Sequence, residues 1–504
     1  MKIIAYDLGT GGVKASLYDE NLTTYAKSFI SYETYYPGKN MHEQRPDDWW
    51  NGVCESTRRL LEKSSCDGKE VESVALSGHS LVAVLLDAGS RPLTAQVPIW
   101  SDTRATAEVE EFFRKISYEK WYMTTGNGFP AACYPIFKLM WYRKEQPELF
   151  WKTWKIAGSK DYINLRMTGK LYTDYSYASG FGCYNLLGKR LEKELLEAAE
   201  LHESLFPEIV PSHHIVGNLL PEAAEALGLT TDTKVVCGGV DNACMALGAV
   251  GSEPGRVYAS LGSSSWIPVN SEKPVLDFEK KPYVFAHLDD SMYTSAFSIF
   301  AGGSSLQWAK KTLCKDFETE EDAYDRISEL VSQSPVGANG IFFNPSLAGG
   351  TSQDKSPNIR GGFLNLHLGA DRRDLLRAVM EGVALNLRNS ITWLGEKTKL
   401  SDELLVCGGG SKSSVWMQIF ADVFDRKIVK TNIDQDSASI GAAATVLKGL
   451  GIWKDYSGIQ ALHHVERINI PDPENARAYD TLWNEFNYIS DKLADIGDYL
   501  ENNH

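Results

Sequence analysis

The chain has 504 residues, 43% of them hydrophobic and 23% charged, with a formal net charge of −15. The length exceeds one ordinary domain, the composition is that of a globular protein, and the acidic balance argues against nucleic-acid and anionic-membrane partners. No apolar run approaches the roughly 18 residues that span a bilayer, and MKIIAYD reaches an aspartate at once, so no signal peptide is expected and the expected compartment is cytoplasmic.

Residues 2–7 (KIIAYD) read as a strand, followed by DLGTGGVK at 7–14. A P-loop needs G-x-x-x-x-G-K-[ST] and a dinucleotide fingerprint needs G-x-G-x-x-G; neither is met, because Lys14 stands where the third glycine belongs and Ala15 follows it. Val13, Ala15 and Leu17 alternate with Lys14, Ser16 and Tyr18, which is strand period. The glycines therefore sit in a hairpin. Such a turn aims several backbone N–H groups one way, and Thr10 and Lys14 add donors to an anion. An ordinary glycine-rich hairpin turn is the alternative at this stage.

Pro46 opens an amphipathic helix carrying Trp49, Val53, Leu60 and Leu61. Residues 71–76 and 82–86 read as strands. Residues 235–240 (VVCGGV) read as a buried strand ending in glycines, with a helix from Asn242 onward, and residues 404–410 repeat that strand–glycine design. The eight cysteines include no C-x-x-C pair, which fits buried thiols in a reducing compartment. The paired histidines at 213–214 and 463–464 lack acidic or cysteine partners at ligand spacing, and 318–322 (ETEED) reads as a solvated surface.

Residues 257–267 (VYASLGSSSWI) echo residues 4–14 (IAYDLGTGGVK), about half a chain away. Both read as strand, Leu-Gly-hydroxyl, small-residue turn, strand. A duplicated domain offering one such hairpin per half would explain the echo, and chance similarity of a short string is the alternative. Asp7 of the first copy is replaced by Ser260 in the second, so only one hairpin carries a carboxylate, as a Mg²⁺-linked site would need.

Taken together, DLGTGGVK at 7–14, HEQRPDDWW at 42–50, IWSDTR at 99–104, GGVDN at 238–242, SLGSS at 260–264, AGGSSLQW at 301–308, EGVALNLRNS at 381–390 and CGGGSKSSVW at 407–416 resemble the FGGY family of carbohydrate kinases, closest in pattern to its xylulose kinases. The resemblance covers essentially the whole chain. It implies an α/β fold of two ribonuclease-H-like (actin-like) domains flanking a catalytic cleft. The expected division is 1–245 for the N-terminal domain, with sugar site, first phosphate hairpin and catalytic Asp, and 246–504 for the nucleotide-binding C-terminal domain. The two diagnostic segments of the family match with departures at Cys133, Tyr142 and Asn365, the last where a glycine is expected.

Phosphoryl transfer asks a protein mostly for positioning and charge neutralisation. The resemblance makes Asp241 the general base that takes the proton of the attacking hydroxyl; by pattern alone, an Asp before a helix is an N-cap. Asp7 becomes the Mg²⁺ partner. Thr10, Gly11 and Lys14 would hold the terminal phosphates of ATP from one side, and Gly262 and Ser263 from the other. Gly303 and Gln307 correspond to ribose and phosphate contacts, and Gly409, Gly410 and Ser413 lie where adenine is held. A bare Gly-Gly-Gly after a strand is otherwise a turn.

The sugar pocket is the least legible part. His79 and Ser80, with Leu81 after them, align with sugar-contacting positions. The arginine–glutamate pair of glycerol kinases is absent here, and so is the methionine–histidine pair common in xylulose kinases. Trp100 would supply an apolar wall, Asp102 a hydroxyl acceptor, and Asn242 a second polar contact. For His79, a core histidine at a strand end is the alternative. The implied activity is transfer of the γ-phosphate of ATP to a small sugar, a ketopentose such as D-xylulose; L-fuculose, L-xylulose or L-ribulose, gluconate or a polyol stay open. A non-catalytic actin-like nucleotide switch or sugar sensor is the alternative of another class; it is disfavoured by Asp241 in GGVDN and by a chain that begins directly with a strand. The partners expected are the sugar and ATP, with a homodimer as is common in the family. Closure about a hinge near residues 243–255 is expected, since shielding from water protects the phosphoryl group.

Overall fold

The first hairpin forms as its alternation demands. In this computed structural model, which describes residues 1–503, β1 (Lys2–Gly9) and β2 (Gly12–Asp19) pair antiparallel from Lys2↔Asp19 to Gly9↔Gly12, leaving Thr10 and Gly11 as the turn. β3 (Thr24–Ser31) pairs antiparallel with β2. It crosses so close to Gly12 that a Cβ there would meet the Ile30 carbonyl at 2.4 Å. β4 (Val71–Gly78) lies parallel to β1, and β6 (Lys234–Val240) parallel to β4. β5 (Ile215–Asn218) closes that edge antiparallel to β6, giving the order β5-β6-β4-β1-β2-β3.

Ile3, Ile4, Ala5 and Tyr6 are all fully buried, as expected of strands covered on both faces. The helix Pro46–Ser64 packs on β2 and β3, burying Trp49, Trp50, Val53 and Leu60. The helix Ser437–Gly449, from the far end of the chain, packs on β1, β4 and β6. It also crosses the helix Asp241–Val250 at glycines. A Cβ on Gly441 would lie 2.0 Å from the Cys244 carbonyl, and one on Gly248 1.9 Å from that of Ser437. The small-residue run 441–444 therefore marks close helix packing.

The second sheet includes β7 (Val257–Leu261), β8 (Ser265–Ser271), β9 (Tyr293–Ile299), β10 (Glu403–Cys407), β11 (Lys427–Thr431) and β12 (Val465–Asn469). They run β9-β8-β7-β10-β11-β12. β7 and β8 form an antiparallel hairpin, β7, β10 and β11 are parallel, and β12 is an antiparallel edge. Position by position this repeats the first sheet, so the echo between residues 4–14 and 257–267 reflects two copies of one topology. The long helix Arg372–Lys397 and the helix Ser414–Phe424 supply much of the core around this sheet.

By contacts the chain divides into two units, one made of 1–252, 272–294 and 436–462 and the other of 253–271, 295–435 and 463–504. The linear division expected at 245/246 would cut the helix Asp241–Val250, and it assigns 436–462 to the other half. The chain passes between units at 252/253, 271/272, 294/295, 435/436 and 462/463, so a hinge confined to 243–255 would take in the first of these passages alone.

All eight cysteines are free thiols. Among the described residues no helix is long and apolar enough to cross a membrane. The departure at Asn365 has a local reason: its φ is +60°, and its side-chain amide donates to the Gly340 carbonyl at 2.9 Å. Asn tolerates this left-handed conformation better than other residues with a Cβ.

Candidate active site

The parallel strands β1, β4 and β6 end together, and their registers place Asp7 beside Ser77 and Ser77 beside Gly239. Ligands of α/β sheets bind outside the carboxyl ends of such strands. Here those ends carry Asp7, His79 and Asp241.

Asp241 is the first residue of the helix Asp241–Val250, after Val240 in extended conformation. One carboxylate oxygen accepts the Asn242 N–H at 2.8 Å. Burial, followed by the negative charge of Asp7, outweighs that bond and pushes the carboxyl from 3.8 up to about 7. A base poised there is half ionised near neutrality, where a general base is most effective. Asp7 faces Lys14 across the hairpin and accepts a hydrogen bond from the Ser77 hydroxyl at 3.1 Å. Burial raises its carboxyl above the ordinary value, against the pull of Lys14 and Ser77.

Lys14, which the resemblance places at the terminal phosphates, has an acidic partner in the fold. It forms an ion pair with Asp436, as does Lys27. Asp436 precedes the helix Ser437–Gly449, more than four hundred residues along, so no local pattern announces it. Thr10 accepts the Trp100 indole N–H at 2.9 Å, and its carbonyl accepts the buried Gln44 amide at 2.7 Å. Gln44 in turn accepts from the Trp49 indole at 3.0 Å. The segment HEQRPDDWW thus braces the first hairpin, a role its sequence does not reveal. Gly11 is exposed at the tip of the turn.

His79 is buried between Leu8 and Trp49. Its Nδ1–H donates to the Leu8 carbonyl at 3.1 Å, and its ring meets the Trp49 ring edge-on at 5.2 Å. Burial brings the imidazole down to about 4, so it is neutral, and Nε2 is a buried acceptor without a protein partner. That combines the core reading with an acceptor left for a ligand hydroxyl. Ser80 and Trp100 are partly exposed, and Trp100 meets Phe129 edge-on.

Asp102 corrects an expectation. It is fully buried, and both its oxygens are engaged, with the Arg104 guanidinium at 2.7–3.1 Å and with the His42 N–H at 2.8 Å. Arg104 also pairs with Glu43 at 2.5 Å. The signal was present two residues downstream, in the arginine of IWSDTR. Lys138, which the sequence reading passed over, is fully buried and donates to the carbonyls of Leu81 at 3.0 Å and Ile99 at 2.6 Å. It ties together the segments bearing Ser80 and Trp100, and burial lowers its ammonium to about 8.

In the second unit the hairpin β7–β8 turns through Gly262, Ser263 and Ser264. The helix Gly303–Leu313 docks on this turn: Gly303 N–H donates to the Gly262 carbonyl at 2.8 Å, and Ser304 N–H to that of Ser263 at 3.0 Å. Gly303 is glycine because a Cβ would lie 2.4 Å from the Gly262 oxygen. Its amide is therefore bonded to the hairpin, and Gln307 is exposed. After β10, Gly408 N–H donates to Asp434 at 2.5 Å. A Cβ on Gly409 would meet nothing within 4 Å, and one on Gly410 would strike Leu261 at 2.9 Å. Ser413 caps the helix Ser414–Phe424 by accepting the Trp416 N–H at 3.2 Å, which accounts for it without a ligand.

The chain resembles known proteins over its whole length. Residues 2–248 match the N-terminal domain, and residues 257–448 the C-terminal domain, of the FGGY family of carbohydrate kinases. A xylulose kinase of Bacillus subtilis (strain 168) is 30% identical over 501 residues, covering 99% of this chain and 98% of its own. The crystal structure of a ligand-bound xylulose kinase from Lactobacillus acidophilus matches with a TM-score of 0.90 at 27% identity, covering 98% of each chain. A gluconate kinase from the same organism matches with a TM-score of 0.89, also at 27% identity and 98% of each chain.

Proposed function

The chain belongs to the FGGY family of carbohydrate kinases and is an ATP-dependent sugar phosphotransferase, and from that premise we propose that its acceptor is a ketopentose such as D-xylulose, activated by Asp241. The observation that carries the base role is the carboxyl of Asp241, held at about 7 by burial and by Asp7 at the carboxyl end of a central parallel strand. In the step proposed, Asp241 takes the proton of the sugar hydroxyl. The hydroxyl oxygen bonds to the γ-phosphorus, the bond from that phosphorus to the β-bridging oxygen breaks, and ADP leaves.

The ketopentose rests on the xylulose kinases among the relatives and on the engagement of the two cations beside the segments expected to contact the sugar. A sugar acid such as gluconate calls for a cation facing its carboxylate. Those two cations are committed, Lys138 to the carbonyls of Leu81 and Ile99, and Arg104 to Asp102 and Glu43. Gluconate is the second reading, since a gluconate kinase matches about as well as the xylulose kinase structure does.

Mg²⁺ fits as a partner of the nucleotide. Among the described residues no three acidic, histidine or cysteine side chains gather into a metal cage, but one carboxylate with phosphate and water ligands suffices for Mg²⁺. Asp7 supplies a half-buried oxygen donor whose facing lysine is tied to Asp436. Bound there, Mg²⁺ would neutralise charge developing on the transferring phosphoryl group. Thr10 and Gly11, with Gly262 and Ser263, are the phosphate-facing turns of this reading, and Gly409 leaves open space beside its backbone for the base.

The test is ADP release from Mg·ATP over a panel of ketopentoses, fuculose, polyols and gluconate, with wild type and Asp241→Asn. A strong signal on a ketopentose that is lost in the variant is expected. Preference for gluconate would replace the substrate proposed, and full activity of Asp241→Asn would refute the base.

A further inference from the structure

One buried charge cluster takes no part in the chemistry above. Lys160, Asp161 and Asp174 are all fully buried. Lys160 Nζ pairs with Asp161 Oδ1 at 2.7 Å and with Asp174 Oδ1 at 3.0 Å. Desolvating three charges is costly, so such a cluster calls for a use.

The other oxygen of Asp174 shows one. Oδ2 accepts the hydroxyl of Ser212 at 2.7 Å and the hydroxyl of Ser176. Having donated to Asp174, Ser176 Oγ presents a lone pair, and this accepts the backbone N–H of Val240 at 3.0 Å. The carbonyl of Ser212 accepts the backbone N–H of Gly238 at 2.9 Å. One carboxylate thus fixes two serines, and the two serines hold two N–H groups of the segment that immediately precedes Asp241.

That segment needs holding. The pairing of β6 with β4 slips between Val236 and Gly239. Gly238 has φ +69°, and a Cβ there would lie 2.0 Å from the Leu76 carbonyl. The ladder is interrupted at Cys237 and Gly238 and resumes, shifted, at Gly239↔Ser77 and Val240↔Gly78, so only these two pairs orient the strand end before the helix of Asp241. Asn164 steadies the near side of the slip, donating to the Cys237 carbonyl at 2.9 Å.

We propose that Asp174, acting through Ser176 and Ser212, is a positioning residue that fixes the direction in which Asp241 presents its carboxylate. The proposal rests on reading Asp241 as the base. A displacement of about 1 Å at a reacting group costs on the order of a hundredfold in rate. Release of the Val240 N–H therefore lowers kcat while leaving the nucleotide KM in place.

The experiment is a double-mutant cycle on the full-length chain, measuring kcat and both KM values for wild type, Ser176→Ala, Asp241→Asn and the double variant. Ser176→Ala removes one oxygen atom and leaves Asp174, Lys160 and Asp161 in place. The expected result is a fall in kcat of about ten- to a hundredfold in the wild-type background and no further fall once Asp241 is Asn. Ser212→Ala, which keeps the carbonyl that holds Gly238, should fall less than Ser176→Ala. A wild-type kcat in Ser176→Ala overturns the proposal, and so does an equal loss with and without Asp241, the mark of a general structural effect. If Asp241→Asn is itself fully active, the base reading fails and this proposal falls with it.

Discussion

Asp241 is held in a state that costs stability, and replacing it should show that cost. Its carboxyl sits at about 7 against an ordinary 3.8, because burial and Asp7 both oppose its ionisation. The folded protein therefore binds a proton more tightly than the unfolded chain does, and this group destabilises the fold increasingly as pH rises from about 4 to about 7, then levels off. At 1.36 kcal/mol per unit, the penalty is on the order of 1.5 kcal/mol at about pH 5 and about 4 kcal/mol at about pH 8. Asp241→Asn carries no charge and removes the penalty while keeping the shape. The variant should melt higher than wild type, by several degrees at about pH 8 and by much less at about pH 5, while its kcat falls by about 10²–10⁴-fold. Differential scanning calorimetry at the two pH values, paired with coupled ADP-release kinetics, reads both effects. An equal melting shift at the two pH values, or a variant less stable than wild type at the higher one, would refute the raised carboxyl and the reasoning built on it.

The remaining predictions concern the surroundings of that carboxylate. Asp7→Asn removes the like charge that raises Asp241, so the acid limb of kcat/KM measured against pH should move to lower pH; a limb that stays in place or rises would count against the coupling. Gly441→Ala puts a Cβ 2.0 Å from the Cys244 carbonyl, and overpacking of this kind costs about 1–3 kcal/mol or more, which urea unfolding would register as a lower midpoint. Lys138→Met leaves the carbonyls of Leu81 and Ile99 without their shared donor, so the KM for sugar should rise several-fold while the KM for ATP holds; equal changes in both would contradict a role confined to the sugar side.

What the sequence disclosed depended on how local each feature is. Both glycine hairpins were readable because turn chemistry and strand alternation occupy about a dozen consecutive residues. The strand–glycine–helix passage at 235–250 was readable for the same reason. The departure at Asn365 looks like a defect in a motif, yet the left-handed backbone explains it. Partnerships set by tertiary structure were not legible. Lys14 looks like a phosphate ligand until Asp436 is seen beside it. Asp102 looks like a hydroxyl acceptor until Arg104 and His42 occupy its oxygens. The bracing roles of Gln44, Lys138 and Asp174 were not legible, since each depends on groups brought together from segments far apart in the chain.

The same distinction bears on where the first unit ends. The family's N-terminal domain covers residues 2–248, yet the site within those residues is braced by a helix that follows nearly two hundred residues later. Asp436 pairs with Lys14 and Lys27 of the first hairpin. Ser439 bonds the Tyr18 hydroxyl at 2.9 Å. Gly441 and Gly248 bring the helix Ser437–Gly449 into backbone contact with the helix that begins at Asp241. The hairpin and the helix of Asp241 are thus fastened to one element, and that element exists only after the second sheet's β10 and β11 have been made. Division of the chain near its middle separates Asp241 from its own support. Residues 436–462 therefore belong to the machinery of the first unit, although nothing in their order along the sequence says so.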